Sequence, residues 1–130
     1  ILLEDLFEDL EFWYPHIRMR EQGYEVMSVA PSKRVYHGKN GLSAEADAEV
    51  AEVSAEQADA LIIGGWMLAS AGVLQEKTAT GFFSIRDDME NAGARWVDRE
   101  VAVDGNLITS RNPDDLPAFC RAIIEQLEAS

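Results

Sequence analysis

The sequence predicts an α/β fold, a three-layer sandwich with a mostly parallel central sheet. Runs typical of strands alternate along the chain with runs typical of helices. One run, Ala60–Ile63, is apolar throughout, as expected of a parallel strand buried on both faces. A length of 130 residues supports one domain, so we expect a single domain over residues 1–130.

The chain opens with a predicted strand, helix and strand. Ile1–Leu3 is a short apolar run, typical of the buried end of a strand. Glu8–Gln22 carries apolar residues at helical spacing, and we expect Pro15 to kink or split this helix before it stops at Gly23. Tyr24–Ala30 alternates and is rich in β-formers, which favours a second strand.

The middle of the chain predicts a hairpin and a short helix before the central strand. A turn at Gly38–Gly41 separates two extended runs within residues 32–50, which is typical of a small hairpin or of an extended excursion. Ser54 followed by Gln57 fits a capping box that opens a very short helix.

The second half alternates in the same way. Its predicted elements are a helix, a strand, a helix capped by Ser84, a hairpin and a final amphipathic helix, at Trp66–Val73, Ala79–Phe83, Ile85–Ala92, Glu100–Ser110 and Pro113–Leu127. The Asp104-Gly105 pair favours the tight turn of the hairpin.

Composition excludes several classes of function. The net charge of −13 argues against nucleic acid and membrane partners, since both need basic residues to neutralise phosphate. No apolar run reaches the roughly 20 residues that span a bilayer. Cys120 is the only cysteine, which excludes an internal disulfide framework and fits a reducing, cytoplasmic location.

A series of segments then carries a resemblance to a known family. In chain order these are Phe7–Glu11 with Tyr14-Pro15, Gly23–Val26, Tyr36–Gly41, Asp59–Ile63, Ser70–Leu74, Ser84–Asp88 with Asn91–Ala94, and Val103–Arg111 with Pro113, Asp115 and Leu116. In this order they resemble the PfpI/ThiJ superfamily of intracellular cysteine hydrolases. The resemblance implies a flavodoxin-like α/β sandwich in which a strand ends in a sharp turn that carries an adjacent Cys-His pair.

The chain departs from the superfamily pattern between Ile63 and Trp66. Members carry roughly forty more residues there, enough for a helix and a further parallel strand. Either the protein has lost this stretch and its nucleophile, or the 130 residues omit it; we favour omission, because a real deletion would leave a sheet that could hardly close its core. The junction lies before Gly64, between Gly64 and Gly65, or before Trp66.

The resemblance makes Glu8 the first candidate catalytic residue. It aligns with the family glutamate that hydrogen-bonds the nucleophilic sulfur. A thiol reacts as its thiolate, and a glutamic acid side chain kept protonated by burial can donate a hydrogen bond to that thiolate. The competing interpretation is that Glu8 only complements the dipole of an acidic helix start that also includes Glu11.

Two glycines are candidates for an oxyanion site. Gly64 and Gly65 can present backbone N–H groups to a developing oxyanion, if the resemblance places them there. The alternative is an ordinary tight turn after a strand. A lone Gly-Gly pair does not make a phosphate loop, so we expect no cofactor.

The remaining candidates favour structural roles. Cys120 lies among apolar residues of the last helix and does not match the family nucleophile, so we expect a buried structural cysteine. His16 and His37 do not match the family histidine, and we expect satisfied surface or interface side chains. The acidic residues near Glu8 lack the loop spacing of a calcium site, so we expect no metal.

The resemblance implies a cysteine hydrolase that functions in stress response. Its substrate would be a peptide, or a small reactive dicarbonyl or its adduct as in a glyoxalase or deglycase, and the protein would form a homodimer or a higher homo-oligomer. The alternatives are a non-enzymatic stress protein, acting as a redox sensor through a reactive cysteine or as a holdase, and a truly truncated binding module.

Overall fold

The computed structural model describes residues 1–130, which form two compact units, Ile1–Ile63 and Gly64–Ser130. The first unit contains one helix and four short strands, α1 (Asp9–Glu21), β1 (Val29–Ala30), β2 (Val35–His37), β3 (Ser43–Glu45) and β4 (Ala48–Glu49). The second contains three helices and four strands, α2 (Gly65–Ser70), β5 (Thr78–Ala79), α3 (Arg86–Asn91), β6 (Arg95–Trp96), β7 (Val101–Asp104), β8 (Leu107–Ser110) and α4 (Leu116–Ala129).

The first unit is built on parallel pairing around β1. Strand β4 pairs with β1 in parallel, and Leu2 forms a parallel bridge to Val29 on the other side. The N–H of Leu2 then donates to the carbonyl of Ile62 at 3.0 Å. Four segments therefore lie side by side within this unit, with β4 at one edge and the segment that contains Ile62 at the other.

The predicted buried strand at Ala60–Ile63 is wrong for this structure. These residues lie outside the regular strands, and Leu61 is 58% exposed. A parallel strand is buried on both faces only when further elements cover it. Within the unit, Ile62 contacts one neighbouring segment and has no strand paired on its far side.

Helix α1 is one continuous helix across Pro15, so the predicted split into two pieces is wrong. Proline removes one hydrogen-bond donor from a helix interior, which normally weakens it. Here Pro15 is itself buried, and Phe12 and Met19 on either side of it are buried as well. Packing of both halves of the helix explains why the chain tolerates the missing bond.

The predicted hairpin of the first unit is confirmed. Strands β2 and β3 pair antiparallel, with Tyr36 opposite Ala44 and both side chains buried. Tyr36 packs in a core cluster with Leu3 and Phe12. The loop between the two strands, residues 38–42, projects onto the start of α1, where the functional candidate lies.

The second unit has two strand pairs and the long final helix. Strands β5 and β6 are parallel, and β7 and β8 form the predicted antiparallel hairpin. Helix α4 packs against that hairpin through Leu116, Cys120, Ile123 and Ile124, which are buried as the amphipathic pattern predicts.

Two predictions in the second unit need correction. The strand expected over Ala79–Phe83 ends at Ala79, because the N–H of Thr80 donates to the Thr109 side chain at 2.9 Å rather than to a strand backbone. Ser84 does not cap α3, since it lies inside a 3-10 turn over Phe83–Ile85 that precedes the helix.

Candidate functional site

Glu8 lies at the N-terminus of α1 as its capping residue. Its Oε2 accepts a hydrogen bond from the backbone N–H of Glu11 at 2.9 Å, which satisfies one of the donors that a helix start leaves open. Its Oε1 accepts from the side-chain Nδ2 of Asn40 at 3.1 Å. Both oxygens are therefore held, and the side chain is only half-buried.

Asp9, the next residue, holds the 38–42 loop against the helix. Its side chain is 3% exposed and accepts backbone hydrogen bonds from Asn40 at 2.9 Å and from Leu42 at 2.6 Å. Burial raises the pKa of Asp9, but these N–H donors outweigh it and hold the pKa below its ordinary value. Asp9 is thus an ionised anchor for the loop.

The loop approaches Asp9 so closely that position 38 requires glycine. A Cβ at Gly38 would lie 2.5 Å from Oδ1 of Asp9, closer than two such atoms can approach. The N–H of Lys39 also donates to the carbonyl of Phe7 at 3.0 Å, which adds a backbone link between loop and helix start. The position of Asn40 is therefore fixed by main-chain contacts.

The pKa values of two titratable groups on α1, Glu11 and His16, are shifted from their ordinary values. Burial raises the pKa of the Glu11 carboxyl, and the neighbouring Glu8 raises it further; Glu11 as a whole stays exposed, so we expect the elevation to be modest. Burial lowers the pKa of His16, and Arg20 adds to the effect.

One ring nitrogen of His16, which we expected to be a satisfied surface or interface side chain, finds no partner within this chain. The ring stacks on Phe12 at 5.4 Å and meets Trp13 edge-on at 5.2 Å, while its buried Nδ1 has no hydrogen-bond partner in the chain. His37 lies on β2 with an exposed side chain, and only its backbone N–H reaches Asp5.

The two candidate glycines lie at the start of α2, in the second unit. Gly64 is the capping residue, with φ −66° and ψ 142°, and Gly65 is the first helical residue. A Cβ at Gly64 would meet no atom within 4 Å, so neither backbone strain nor crowding requires glycine there. Glu8 belongs to the other unit.

The other candidate residues take structural positions. Cys120 is fully buried in α4, as predicted. No group of three or more histidine, cysteine, aspartate or glutamate side chains is arranged to hold a metal ion. None of the helices is both long enough and apolar enough to cross a bilayer.

Asp9, Gly38 and Asn40 complete the site around Glu8, and sequence reasoning assigned no site role to any of them. Asp9 was hidden in a run of acidic residues at the helix start. Gly38 and Asn40 were interpreted as parts of a turn and of the family-like segment Tyr36–Gly41, with no site role for either. The available signal was the turn itself, since a loop tip rich in glycine with one amide suits close packing on a neighbouring element.

Comparison with known proteins identifies similar sequences. The model of the DJ-1/PfpI family matches residues 1–67 and 63–126. The protein called deglycase PfpI of Pyrococcus furiosus is 36% identical, with 94% of each chain covered. A putative cysteine protease, YraA of Bacillus subtilis, is 32% identical, covering 98% of this chain and 96% of its own.

Solved structures agree with these matches. A two-domain protein from Anabaena variabilis with DJ-1/ThiJ/PfpI-like and ferritin-like domains is 34% identical, with a TM-score of 0.94 over 98% of this chain and 49% of its own. A ThiJ/PfpI domain protein from Brachyspira murdochii has a TM-score of 0.91 at 19% identity, over 99% and 94% of the two chains. These similarities confirm the predicted flavodoxin-like α/β fold.

The alignments with these relatives are longer than the chain itself. The Pyrococcus furiosus alignment spans 156 positions, whereas this chain has 130 residues, so at least 26 positions of the relative have no counterpart here. The two stretches matched by the family model meet at residues 63–67. This is the place where the sequence departs from the superfamily pattern.

Proposed function

Because the chain belongs to the DJ-1/PfpI family, we propose that the natural protein is a cysteine-nucleophile enzyme of the deglycase or peptidase type that serves in stress response. Glu8 is its catalytic carboxyl group. The observation that carries this proposal is the geometry of Glu8, which caps α1 with both carboxyl oxygens held by hydrogen bonds. Relatives called deglycase and putative cysteine protease support the reaction class.

We propose that the nucleophile lies in a segment between Ile63 and Trp66 that these 130 residues omit. The excess length of the alignments and the two family matches meeting at residues 63–67 support this position. The apolar segment Leu61–Ile63 supports it as well, because Leu61 is exposed and a further parallel strand would bury it. A domain interrupted in this way accounts for the two units.

In the proposed reaction, the cysteine thiolate attacks the carbonyl carbon of an aldehyde or amide. Negative charge then develops on the carbonyl oxygen, where the backbone N–H groups of Gly64 and Gly65 would act as donors. Glu8 in its carboxylic acid form donates a hydrogen bond to the thiolate before attack. Small reactive carbonyl compounds and peptides are the substrate classes that fit.

The test uses the protein from the natural full-length gene, with Glu8→Ala, Glu8→Gln and the control Glu4→Gln. Glu4 belongs to the same acidic run, but its side chain is exposed, accepts a hydrogen bond from the N–H of Asp5 and lies 3.9 Å from the guanidinium of Arg34. We expect methylglyoxal consumption or reporter-peptide cleavage in the wild type. Glu8→Ala should lose 100-fold or more of kcat/KM, in the range for a positioned acid–base group of about 10² to 10⁴.

Two results would contradict the proposal. An intact mass near 14.4 kDa would exclude the additional segment. Absence of turnover, with clean sulfenylation of a cysteine by peroxide, would favour the redox-sensor alternative.

We also propose a homodimer formed through an apolar face of α1. A groove of about 580 Å³ runs between this helix and the β2–β3 loop. It is lined by Leu10, Trp13, Tyr14, Ile17, Gly41, Leu42 and Ser43. Leu10, Ile17 and Leu42 are each half or more exposed, an unusual state for three adjoining large apolar residues.

Charge favours a second copy of this chain as the occupant of the groove. Glu11 and Arg18 lie seven residues apart, so they share one flank of the helix face. In an antiparallel pair of α1 helices related by two-fold symmetry, Glu11 of one copy faces Arg18 of the other. Analytical ultracentrifugation should show a dimer that Arg18→Glu weakens and the double variant Glu11→Arg/Arg18→Glu restores; a wild-type monomer would contradict this.

A further inference from the structure

We propose that Asn40 is a positioning residue that orients the Glu8 carboxyl group. The inference rests on the catalytic role proposed for Glu8 and adds a second residue to that site. It starts from the hydrogen bond between Nδ2 of Asn40 and Oε1 of Glu8, at 3.1 Å. Nothing in the family resemblance assigns a role to this asparagine.

The backbone of the loop fixes Asn40 independently of its side chain. The main-chain N–H of Asn40 donates to Asp9, and the N–H of Leu42 donates to the same carboxylate. The N–H of Gly38 donates to the carbonyl of Leu42 at 2.7 Å, which closes the loop on itself. The amide of Asn40 therefore projects from a rigid platform rather than holding the loop in place.

The hydrogen bond at the start of α1 leaves the carboxyl group of Glu8 free to rotate. The Glu11 N–H holds Oε2, but a single hydrogen bond still lets the carboxyl group rotate. The bond from Asn40 to Oε1 removes that rotation and fixes the plane of the carboxyl group. A carboxyl group that must meet a sulfur atom in one orientation needs this second contact.

The chemistry of an amide suits this task in either charge state of the glutamate. An asparagine side chain carries two N–H donors and one carbonyl acceptor. Its Nδ2 donates to Oε1 of the ionised carboxylate, and equally to Oε1 as the carbonyl oxygen of the acid, which leaves the single O–H of the acid free for the sulfur. An aspartate at position 40 would have no N–H to donate and would repel the ionised form.

These properties define the substitutions that test the proposal. In the natural full-length protein, Asn40→Ala should lower kcat/KM about 5-fold, the scale of one ordinary hydrogen bond. Asn40→Asp should shift the pH profile of kcat/KM to higher pH, since the acid form of Glu8 is then favoured. Asn40→Gln should restore part of the activity, because it returns the amide on a longer arm.

A double variant separates positioning from a general structural effect. If Asn40 acts through Glu8, its removal costs nothing further once Glu8 is alanine, so Glu8→Ala/Asn40→Ala should match Glu8→Ala alone. Asn91→Ala serves as the matched control, because Asn91 is an exposed asparagine at the end of α3. The thermal midpoint should be unchanged in Asn40→Ala, since the main-chain bonds to Asp9 remain.

The outcomes distinguish this inference from the proposed function. If Glu8→Ala loses activity while Asn40→Ala and Asn40→Asp match the wild type in rate and pH profile, the role of Asn40 is overturned and that of Glu8 stands. Additive losses in the double variant would also overturn it. If Glu8→Ala keeps full activity, the proposed function of Glu8 fails first.

Discussion

The two units each bury one aspartate at the start of a long helix, and each unit satisfies it in a different way. Asp9, at the start of α1, is 3% exposed and accepts neutral backbone donors from the 38–42 loop. Asp115, at the start of α4, is 4% exposed and pairs with the guanidinium of Arg111 at 2.8 and 3.0 Å.

The difference shows what each carboxylate depends on. Asp9 depends on loop geometry, because its partners are main-chain groups that only a close approach can deliver. Asp115 depends on charge, because its main partner is a cation that also reaches Asp98 at 2.9 Å. Arg111 thereby ties α4 to the chain before β7, and its own pKa is raised by Asp115 and then by Asp98.

The largest effect on stability is expected from replacing Asp9, the buried hydrogen-bond acceptor of the first unit. Asp9→Asn keeps the shape but turns one oxygen into an NH₂ group, so either Asn40 N–H or Leu42 N–H then faces a donor. We expect the urea midpoint to fall by roughly 1 M. Tryptophan fluorescence during urea unfolding measures it.

Asp115→Asn is the matched comparison, and its urea midpoint should fall less. Arg111 then still has Asp98 and is partly exposed to water. Equal losses in the two variants would show that both aspartates are held in the same way.

The next effect tests the close approach of the loop. Gly38→Ala places a methyl group against the Asp9 carboxylate, and we expect a loss of about 1 to 3 kcal/mol in the free energy of unfolding, the usual range for overpacking. Gly64→Ala is the control, because open space surrounds that position and its φ is negative. A change within about 0.5 kcal/mol is expected for it. Similar losses at both positions would refute the close approach.

Lowering the pH should reduce the stability of the protein through both aspartates, to a different extent for each. Burial raises the pKa of Asp9, but its backbone N–H donors lower that pKa by more. Arg111 lowers the pKa of Asp115. Both folded-state pKa values therefore lie below the ordinary 3.8. A carboxyl group with a lowered pKa contributes stability that is present above its unfolded value and lost as pH falls through the folded value.

In unfolding free energies measured between pH 7 and pH 2.5, the contribution of these two carboxylates should therefore stay level at first and then fall once the pH drops below about 3.8. Arg111→Gln should make that fall shallower, since Asp115 no longer loses a cationic partner on protonation. The part of this loss of stability that comes from protonating Asp9 should remain in that variant. An unchanged slope in Arg111→Gln would contradict the role given to the ion pair.

The smallest effect is expected from salt. Raising NaCl from 0.05 to 1 M shortens the screening length to about 3 Å, which relieves the repulsion of a net charge of −13 and also weakens the partly exposed pair of Arg111 and Asp98. The wild type and Asp9→Asn should therefore gain slightly less stability from salt than Arg111→Gln, which lacks the pair. A salt response of Asp9→Asn that matches that of Arg111→Gln would reverse the assignment of the two carboxylates.

Local patterns in the sequence predicted the helices and hairpins well. The apolar stripe of α4, the turn at Asp104-Gly105 and the loop at Gly38–Gly41 were all found where expected. Each depends on residues near one another in the chain, which is why periodicity and turn chemistry suffice to predict them.

Features that depend on distant partners were harder to predict. Ala60–Ile63 has the composition of a buried strand, yet its burial depends on a neighbour that the sequence does not supply. Pro15 looked like a helix breaker because the buried side chains around it could not be counted in advance. The same holds for Asn40, whose contact with Glu8 spans 32 positions of sequence.

The outer segment of the first unit has a practical consequence for handling the protein. Leu61, Ile62 and Ile63 are three successive uncharged apolar residues at a margin where no strand of their unit follows. In a chain whose sheet ends here, such a margin can recruit a strand from another molecule and so start aggregation, and the further parallel strand proposed above would cover it. The repulsion between copies that each carry a charge of −13 opposes this, so low salt and pH well above the pI of 4.4 are the conditions that keep the chain dispersed.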